Sequence, residues 1–428
     1  MVWIIVGYMW LFLHRPFEVW PWMGTFRIER VYMLCTLIAW FTMAEKQLTE
    51  NRINFAVAMF AVAMTVSSVM SPYLSLGELH EYQNWLKYLV FYGLVMTSIK
   101  TEKDLKILMN GFVVCFFIYM LHSYREYLCG RFVFAMGTRR MVGIDSTMSD
   151  PNTFGGSIII LLPMLIPLVT QLKKKWHYLF VLGYFLLSIR CVQLTGSRGA
   201  FVVLGCALFL AALLSKKRMT YVPIMCLIAL IVWASMSDNL RNRYLTLVDS
   251  SINESANQSA QGRLAGFYNG WSNWAMSPIW GVGPGCHGYA TGHGFLSHCL
   301  YGQIPGELGS LGILAFLMLI SCFILNHLQI VSDLQFLKRR GREKEGKYLY
   351  LVSYAILASI GLLLVFGLGG HNGYRFNWIW FAGFQAVTVS LMSDKVRLIR
   401  QRELNPEKAA GTPLFPLPGG NAARNVVT

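Results

Sequence analysis

Apolar and polar positions in this chain alternate on the scale of whole helices. Mostly apolar runs of about twenty residues, the length that carries a helix across a hydrocarbon core, recur along the sequence. Roughly twelve such helices are expected, centred on residues 2 to 13, 28 to 44, 53 to 70, 84 to 99, 104 to 123, 154 to 171, 177 to 194, 200 to 215, 219 to 236, 306 to 327, 349 to 369 and 377 to 393. The first is short, and the second opens on Arg27, Glu29 and Arg30. Gly262 to Gly312 is the longest segment too polar for lipid, and a helix is expected to follow it from near Glu307. The pattern predicts an all-α, polytopic transmembrane helical bundle with a large outward loop carrying short helices. Its divisions are N-terminal transmembrane helices (1–236), the polar loop (237–303), C-terminal transmembrane helices (304–393) and a disordered tail (394–428).

Composition agrees with this reading. Of 428 residues, 55% are hydrophobic and 14% charged, and the mean hydropathy is +0.46, too apolar for one soluble core. Met1 to Leu13 lacks a basic start and a small-residue cleavage site, so this segment is expected to stay in the membrane. The net charge of +16 sits in short clusters between apolar segments, which argues for topology signals and against a nucleic-acid surface. The nine cysteines are scattered, mostly inside apolar runs, with no metal-type Cys-x-x-Cys pair.

The basic residues also divide by type. Lys173 to Lys175, Lys216 to Arg218, Lys338 to Lys347 and Lys395 to Arg397 fall on one side if the helices alternate, and that side is expected to be the cytoplasm. Both termini then lie inside, and the loops at 126–153, 195–199, 237–303 and 370–376 face outward. Lys87 aside, the lysines are inside; the outward basic residues are arginines: Arg15, Arg131, Arg139, Arg140, Arg198, Arg241, Arg243, Arg263 and Arg375. Arginine's planar fork binds phosphate oxygens two at a time. A diphosphate at the outer leaflet suits such a set; pairing with lipid headgroups or with Asp145, Asp150 and Asp238 is the plainer alternative.

Particular residues then stand out. Arg198 occupies the small-residue corner Thr195 to Ala200, where a headgroup can approach closely. Arg263 precedes the aromatic run Phe267, Tyr268, Trp271, Trp274 and Trp280, which is expected to lie along the membrane surface. His298 is the leading candidate for proton removal, because histidine titrates near neutrality. His287 and His293 are weaker candidates. His371 and Arg375 lie in another outward turn, and Arg139 and Arg140 join them as candidate substrate contacts. Glu307, followed by Gly309 and Gly312, reads as a first-turn glutamate of a closely packed helix. Asp150, with Asn152 after it, reads first as a helix cap and second as a substrate contact. Cys286 and Cys299 face an oxidising compartment in this topology, and the sequence leaves open whether they pair. The chain has no P-loop, no clustered metal ligands and no Asp-x-Asp pair, so neither a metal nor another cofactor is expected.

In order and spacing, Arg263, the turn Pro278 to Gly285, and the series His298, Glu307, Gly309, Gly312 resemble the O-antigen ligase and polymerase superfamily of bacterial membrane proteins. Ser197-Arg198-Gly199 is similar to that superfamily's Ser-Arg-Gly element, and Asp150 to Asn152 to its Asp-x-Asn element. Cys299 stands where the family usually has Asn, and Gly302 where it has Leu. The resemblance covers roughly residues 140 to 393. It implies a multi-pass inner-membrane glycosyltransferase, acting in lipopolysaccharide or polysaccharide biosynthesis, with its site facing the periplasm. The donor would be a glycan on polyprenyl (undecaprenyl) diphosphate, and the acceptor a hydroxyl such as that of lipid A core. His298 would assist the attack and Arg198 and Arg263 would stabilise the departing diphosphate, inverting the anomeric centre without a metal. A polysaccharide polymerase and a protein O-glycosylation ligase share the motifs, differing in acceptor. A transporter or flippase of the same lipid is the alternative of another class; no internal repeat supports it.

Overall fold

The structure, a computed structural model, describes residues 1–43, 46, 48–73, 79–135, 137–215, 217–245, 254–292 and 297–404. The helices are α1 (Val2–His14), α2 (Pro16–Val19), α3 (Pro21–Thr25), α4 (Ile28–Phe41), α5 (Arg52–Met70), α6 (Leu79–Ser98) and α7 (Glu102–Leu128). After the antiparallel hairpin β1 (Val133–Ala135) and β2 (Thr138–Arg140) come α8 (Pro151–Leu161), α9 (Leu165–Val169), α10 (Lys175–Thr195), α11 (Arg198–Leu214), α12 (Arg218–Ala234) and α13 (Asp238–Leu245). The chain finishes with α14 (Glu254–Met276), α15 (His287–Thr291), α16 (Leu300–Arg339), α17 (Glu343–Gly367) and α18 (Phe376–Leu404).

Each apolar run in the sequence falls on helix. The run at 154–171 is interrupted at Pro163, where a 3-10 turn joins α8 to α9. Among the described residues, six spans are long and apolar enough to cross a membrane: α5, α7, α8 with α9, α10, α16 and α17. The chain is accordingly a multi-pass membrane protein. Its core is apolar and rich in aromatics: Trp85, Phe91, Trp378 and Trp380 are buried, and Phe91 stacks on Trp380 with ring centroids 3.9 Å apart. Large apolar side chains such as Phe55, Leu179, Leu230 and Leu317 point outward, as lipid allows.

Helix α16 is the centre of the packing, lying against α5, α14, α17 and α18. It is broken at Gly309, whose φ of 63° and ψ of −160° are not helical. The break would strand the carbonyls of Gly306 and Glu307 and the amides of Ser310 and Leu311, which an unbroken helix joins to each other. A segment ending in the Gly-rich turn takes all four: Val282 N–H donates to Gly306 O (3.0 Å) and Gly283 N–H to Glu307 O (3.0 Å), while Pro278 O accepts from Ser310 N–H (2.8 Å) and Ile279 O from Leu311 N–H (3.1 Å). Ser67 of α5 adds a bond to Glu307 O (2.6 Å). Glycine is required at the crossing: a Cβ on Gly309 would lie 2.5 Å from the Ile279 carbonyl carbon, and one on Gly281 2.4 Å from that of Glu307.

Two expectations need correction. Glu307 does not begin a helix; it lies near the end of the first part of α16, which starts at Leu300 and tolerates Pro305 within it. The segment around Arg263 forms the 23-residue helix α14, beside the shorter α13 and α15 of the same loop. Its glycines let two backbones meet, for a Cβ on Gly270 would sit 2.2 Å from Gly302 O and one on Gly306 2.7 Å from Gly270 O. The tail expected from 394 is helical as far as Leu404, tied down by Lys395 to Glu102 (2.5 Å) and Arg340 to Glu403 (2.5 Å); 405–428 lie outside the described residues. The hairpin was not foreseen, its strands being too short to show a period.

Gly270→Leu is expected to destabilise the protein by roughly 1–3 kcal/mol, because the α14–α16 contact has no room for a side chain. Gly262→Ala on the same helix meets nothing within 4 Å and is expected to be tolerated. Thermal melting followed by size-exclusion chromatography compares the two.

Candidate functional site

The candidate residues gather where α10 ends and α11 begins, at the end of the bundle that also holds the start of α16 and the connection from α17 to α18. Gly196 ends α10 in the left-handed conformation (φ 59°), and Ser197 caps α11, its hydroxyl accepting from Ala200 N–H (3.4 Å). Arg198 is thereby fixed at the first turn of α11. A Cβ on Gly155 of α8 would lie 3.1 Å from Thr195 Oγ1, so the corner is also packed from beneath.

Arg263 and His298 are held by one contact. One turn beyond Arg263, a Cβ on Gly266 would be 3.0 Å from His298 N, and Ser297 Oγ donates to Gly266 O (3.1 Å). The Arg263 guanidinium lies against Gly369, its Nε 3.2 Å from where a Cβ would be. The same loop brings His371 beside His298, with ring centroids 5.6 Å apart. Arg198 and Arg263 are close enough for their charges to repel. His298 is exposed; Arg198, Arg263 and His371 are half-buried.

Behind these lies a polar layer. Arg375 donates to Ser157 Oγ (2.9 Å), and burial pushes its pKa down, opposed by Tyr88, Asp150, Asp145 and Tyr119. Burial lowers His371 to about 4, reinforced by His298 and Arg375 and opposed by Asp150. His287 is lowered by burial and then by His298, and its Nδ1 lies 3.3 Å from Asn273 Nδ2. Glu307, fully buried, accepts from Gly285 N–H through Oε2 (2.9 Å). The Tyr374 hydroxyl faces that carboxylate; burial first and then Glu307 raise its pKa far above the ordinary tyrosine value. Gln303 Oε1 accepts from Gly373 N–H (3.0 Å), so the first part of α16 grips the 371–375 loop from below.

The structure thus brings Arg198, Arg263, His298 and His371 together, with Arg375 and Asp150 behind them. Asp150 is the N-cap of α8, accepting from Thr153 N–H (2.7 Å). Arg140 is buried and committed to Thr195 O (2.8 Å) and Asn152 Oδ1 (3.0 Å), a support for the corner; burial lowers its pKa, opposed by Asp150 and Tyr244. Arg139 points to the other side of its strand, away from this group. His293 lies outside the described residues. Cys286 and Cys299 are separate buried thiols, so the disulfide left open by the sequence is not formed. Sequence reasoning missed Tyr374 and Gln303; Tyr374 lies in the same turn as His371 and Arg375, which was the available signal.

Fold and site together define a multi-pass helical membrane protein with a cationic, histidine-bearing site at one end of its bundle. Residues 183–319 match the family described as O-antigen ligase, the superfamily that the motifs resemble. No curated protein matches the chain. The matched region contains Arg198, Arg263, His298 and Glu307 but stops short of His371 and Arg375. It supports a glycosyltransferase-like enzyme of the O-antigen ligase or polymerase type.

The depressed His371 makes stability pH-dependent. Between about 4 and the ordinary 6.5 the unfolded chain binds the proton and the folded chain does not, so this contribution is complete above 6.5 and lost as pH falls toward 4. His371→Gln is expected to flatten the fall in melting temperature over that window; an unchanged slope would show that His371 is solvated.

Proposed function

We propose that this protein is an O-antigen ligase-like glycosyltransferase of the bacterial inner membrane, with its site on the periplasmic side and both termini in the cytoplasm. It moves a glycan from a polyprenyl diphosphate, such as undecaprenyl diphosphate, to an acceptor hydroxyl such as that of lipid A core. The observation that carries the reading is the convergence of two mutually repelling guanidiniums, Arg198 and Arg263, beside the histidine pair. Like charges held together at a membrane surface are relieved by an anion with several oxygens, and a diphosphate provides one.

In the reaction the acceptor oxygen bonds to the anomeric carbon as the bond from that carbon to the diphosphate oxygen breaks. The electron pair leaves with the diphosphate, where Arg198 and Arg263 stabilise the growing charge. The acceptor proton passes to His298, the exposed imidazole. His371, kept neutral by burial, lies beside His298 and orients it. Arg375 and Asp150 act on His371 through their charges, in opposite senses. One displacement inverts the anomeric carbon and requires no metal and no side-chain nucleophile.

The test is transfer from a polyprenyl-diphosphate glycan by purified protein, offered lipid A core, a protein acceptor or a second lipid-linked glycan. Arg263→Ala and His298→Ala are each expected to lower the rate by roughly 10²–10³-fold. Arg263→Lys is expected to recover little, since ammonium cannot replace the fork. Full activity in both alanine variants, with the donor crossing the bilayer unchanged, would favour a transporter.

A further inference from the structure

We propose that a cavity of ≈ 390 Å³ between the hairpin and the ends of α10, α12 and α13 is a second binding site, one that takes an acidic or phosphorylated saccharide. It is separate from the group around His298. The division follows from strand geometry: Arg140 faces inward to Thr195 and Asn152, and its neighbour Arg139 must face the opposite way. Arg139 lines the cavity, with its guanidinium carbon 4.9 Å from the Phe132 ring centroid. Arg190 enters from α10 and donates to Gln193 Oε1 (2.5 Å).

The wall is built by hydrogen bonds. Gln193, itself buried, donates to Val232 O (3.0 Å) and Ser235 Oγ (2.9 Å), fixing α12 against α10. Asn239 Nδ2 donates to Gly137 O (3.4 Å), joining α13 to the hairpin. Neither Arg139 nor Arg190 has an acidic partner among the described residues; their neighbours are a ring and a neutral amide. Two exposed cations facing one cavity call for an anion.

The rest of the lining identifies the anion's body. Tyr127 offers an aromatic face, Ser235 and Ser237 hydroxyls, and Asn239 an amide. That mixture suits a pyranose, whose C–H face packs on a ring while its hydroxyls exchange hydrogen bonds, and suits an acyl chain poorly. The volume also exceeds what a bare phosphate fills and falls within the usual range for small-molecule sites. Leu194 lines the cavity and Arg198 follows shortly after, so a saccharide held here lies next to the transfer site. The inference rests on the glycan-transfer reading only for the origin of the saccharide.

Binding of glucose 6-phosphate, galacturonate and glucose to the full chain in phosphatidylcholine nanodiscs, measured by titration calorimetry, tests this directly. The two charged sugars are expected to bind at least about tenfold more tightly than glucose. Arg139→Gln with Arg190→Gln should reduce them to the glucose level, while Arg198→Ala should leave their binding within about twofold of the parent. That pattern supports the site whether or not transfer is observed. Equal binding of charged and neutral sugars, full binding by the double variant, equal competition by inorganic phosphate, or complete displacement by phosphatidylglycerol in the nanodisc would each overturn it; the last would assign the cavity to lipid headgroups.

Discussion

A helix broken inside a membrane protein must find new partners for its stranded backbone groups, because lipid supplies none. Here the break at Gly309 and the turn from Pro278 to Gly283 solve that requirement for each other, exchanging four backbone bonds where α16 would have made its own. Glycine at 281 and 309 is a steric consequence: the two backbones cross too closely for any Cβ. The buried Glu307 extends the same junction by holding Gly285 and facing Tyr374.

This junction explains why distant residues meet. The turn follows α14 and bonds to α16 on both sides of its break, and the glycine contacts between those helices press Arg263 toward His298. Gln303, in the same first part of α16, holds the loop that carries His371. The site therefore stands on one rigid support that reaches α5, α14 and the end of α17. Arg198 and Arg263 lie close enough for their charges to repel, and burial and neighbouring positive charge disfavour protonation of His371. An anion that binds there relieves the repulsion, which is how a site can favour a charged leaving group over a neutral one.

Much of the fold was legible because lipid imposes long apolar runs, and those runs fell on helices. Arg198, Arg263 and His298 were legible through motif spacing, and His371 through its place in an outward turn. What escaped was set by contact rather than period. Helix α14 has too little hydrophobicity to be read from an apolar run, and the fit of its Gly266 and Gly270 to α16 shows only when the two are seen together. Glu307 was misplaced because the apolar run begins only there, whereas the helix already starts in the polar stretch at Leu300. Arg139 and Arg140 read alike in sequence, and only the hairpin turns one toward the corner and the other into a separate cavity.

The decisive measurement is an experimental structure of the protein with a polyprenyl diphosphate bound. The diphosphate is expected within hydrogen-bonding distance of both Arg198 and Arg263, with the first sugar's anomeric carbon turned toward His298. A diphosphate bound elsewhere, leaving these two arginines and His298 untouched, would contradict the site proposed for this chain.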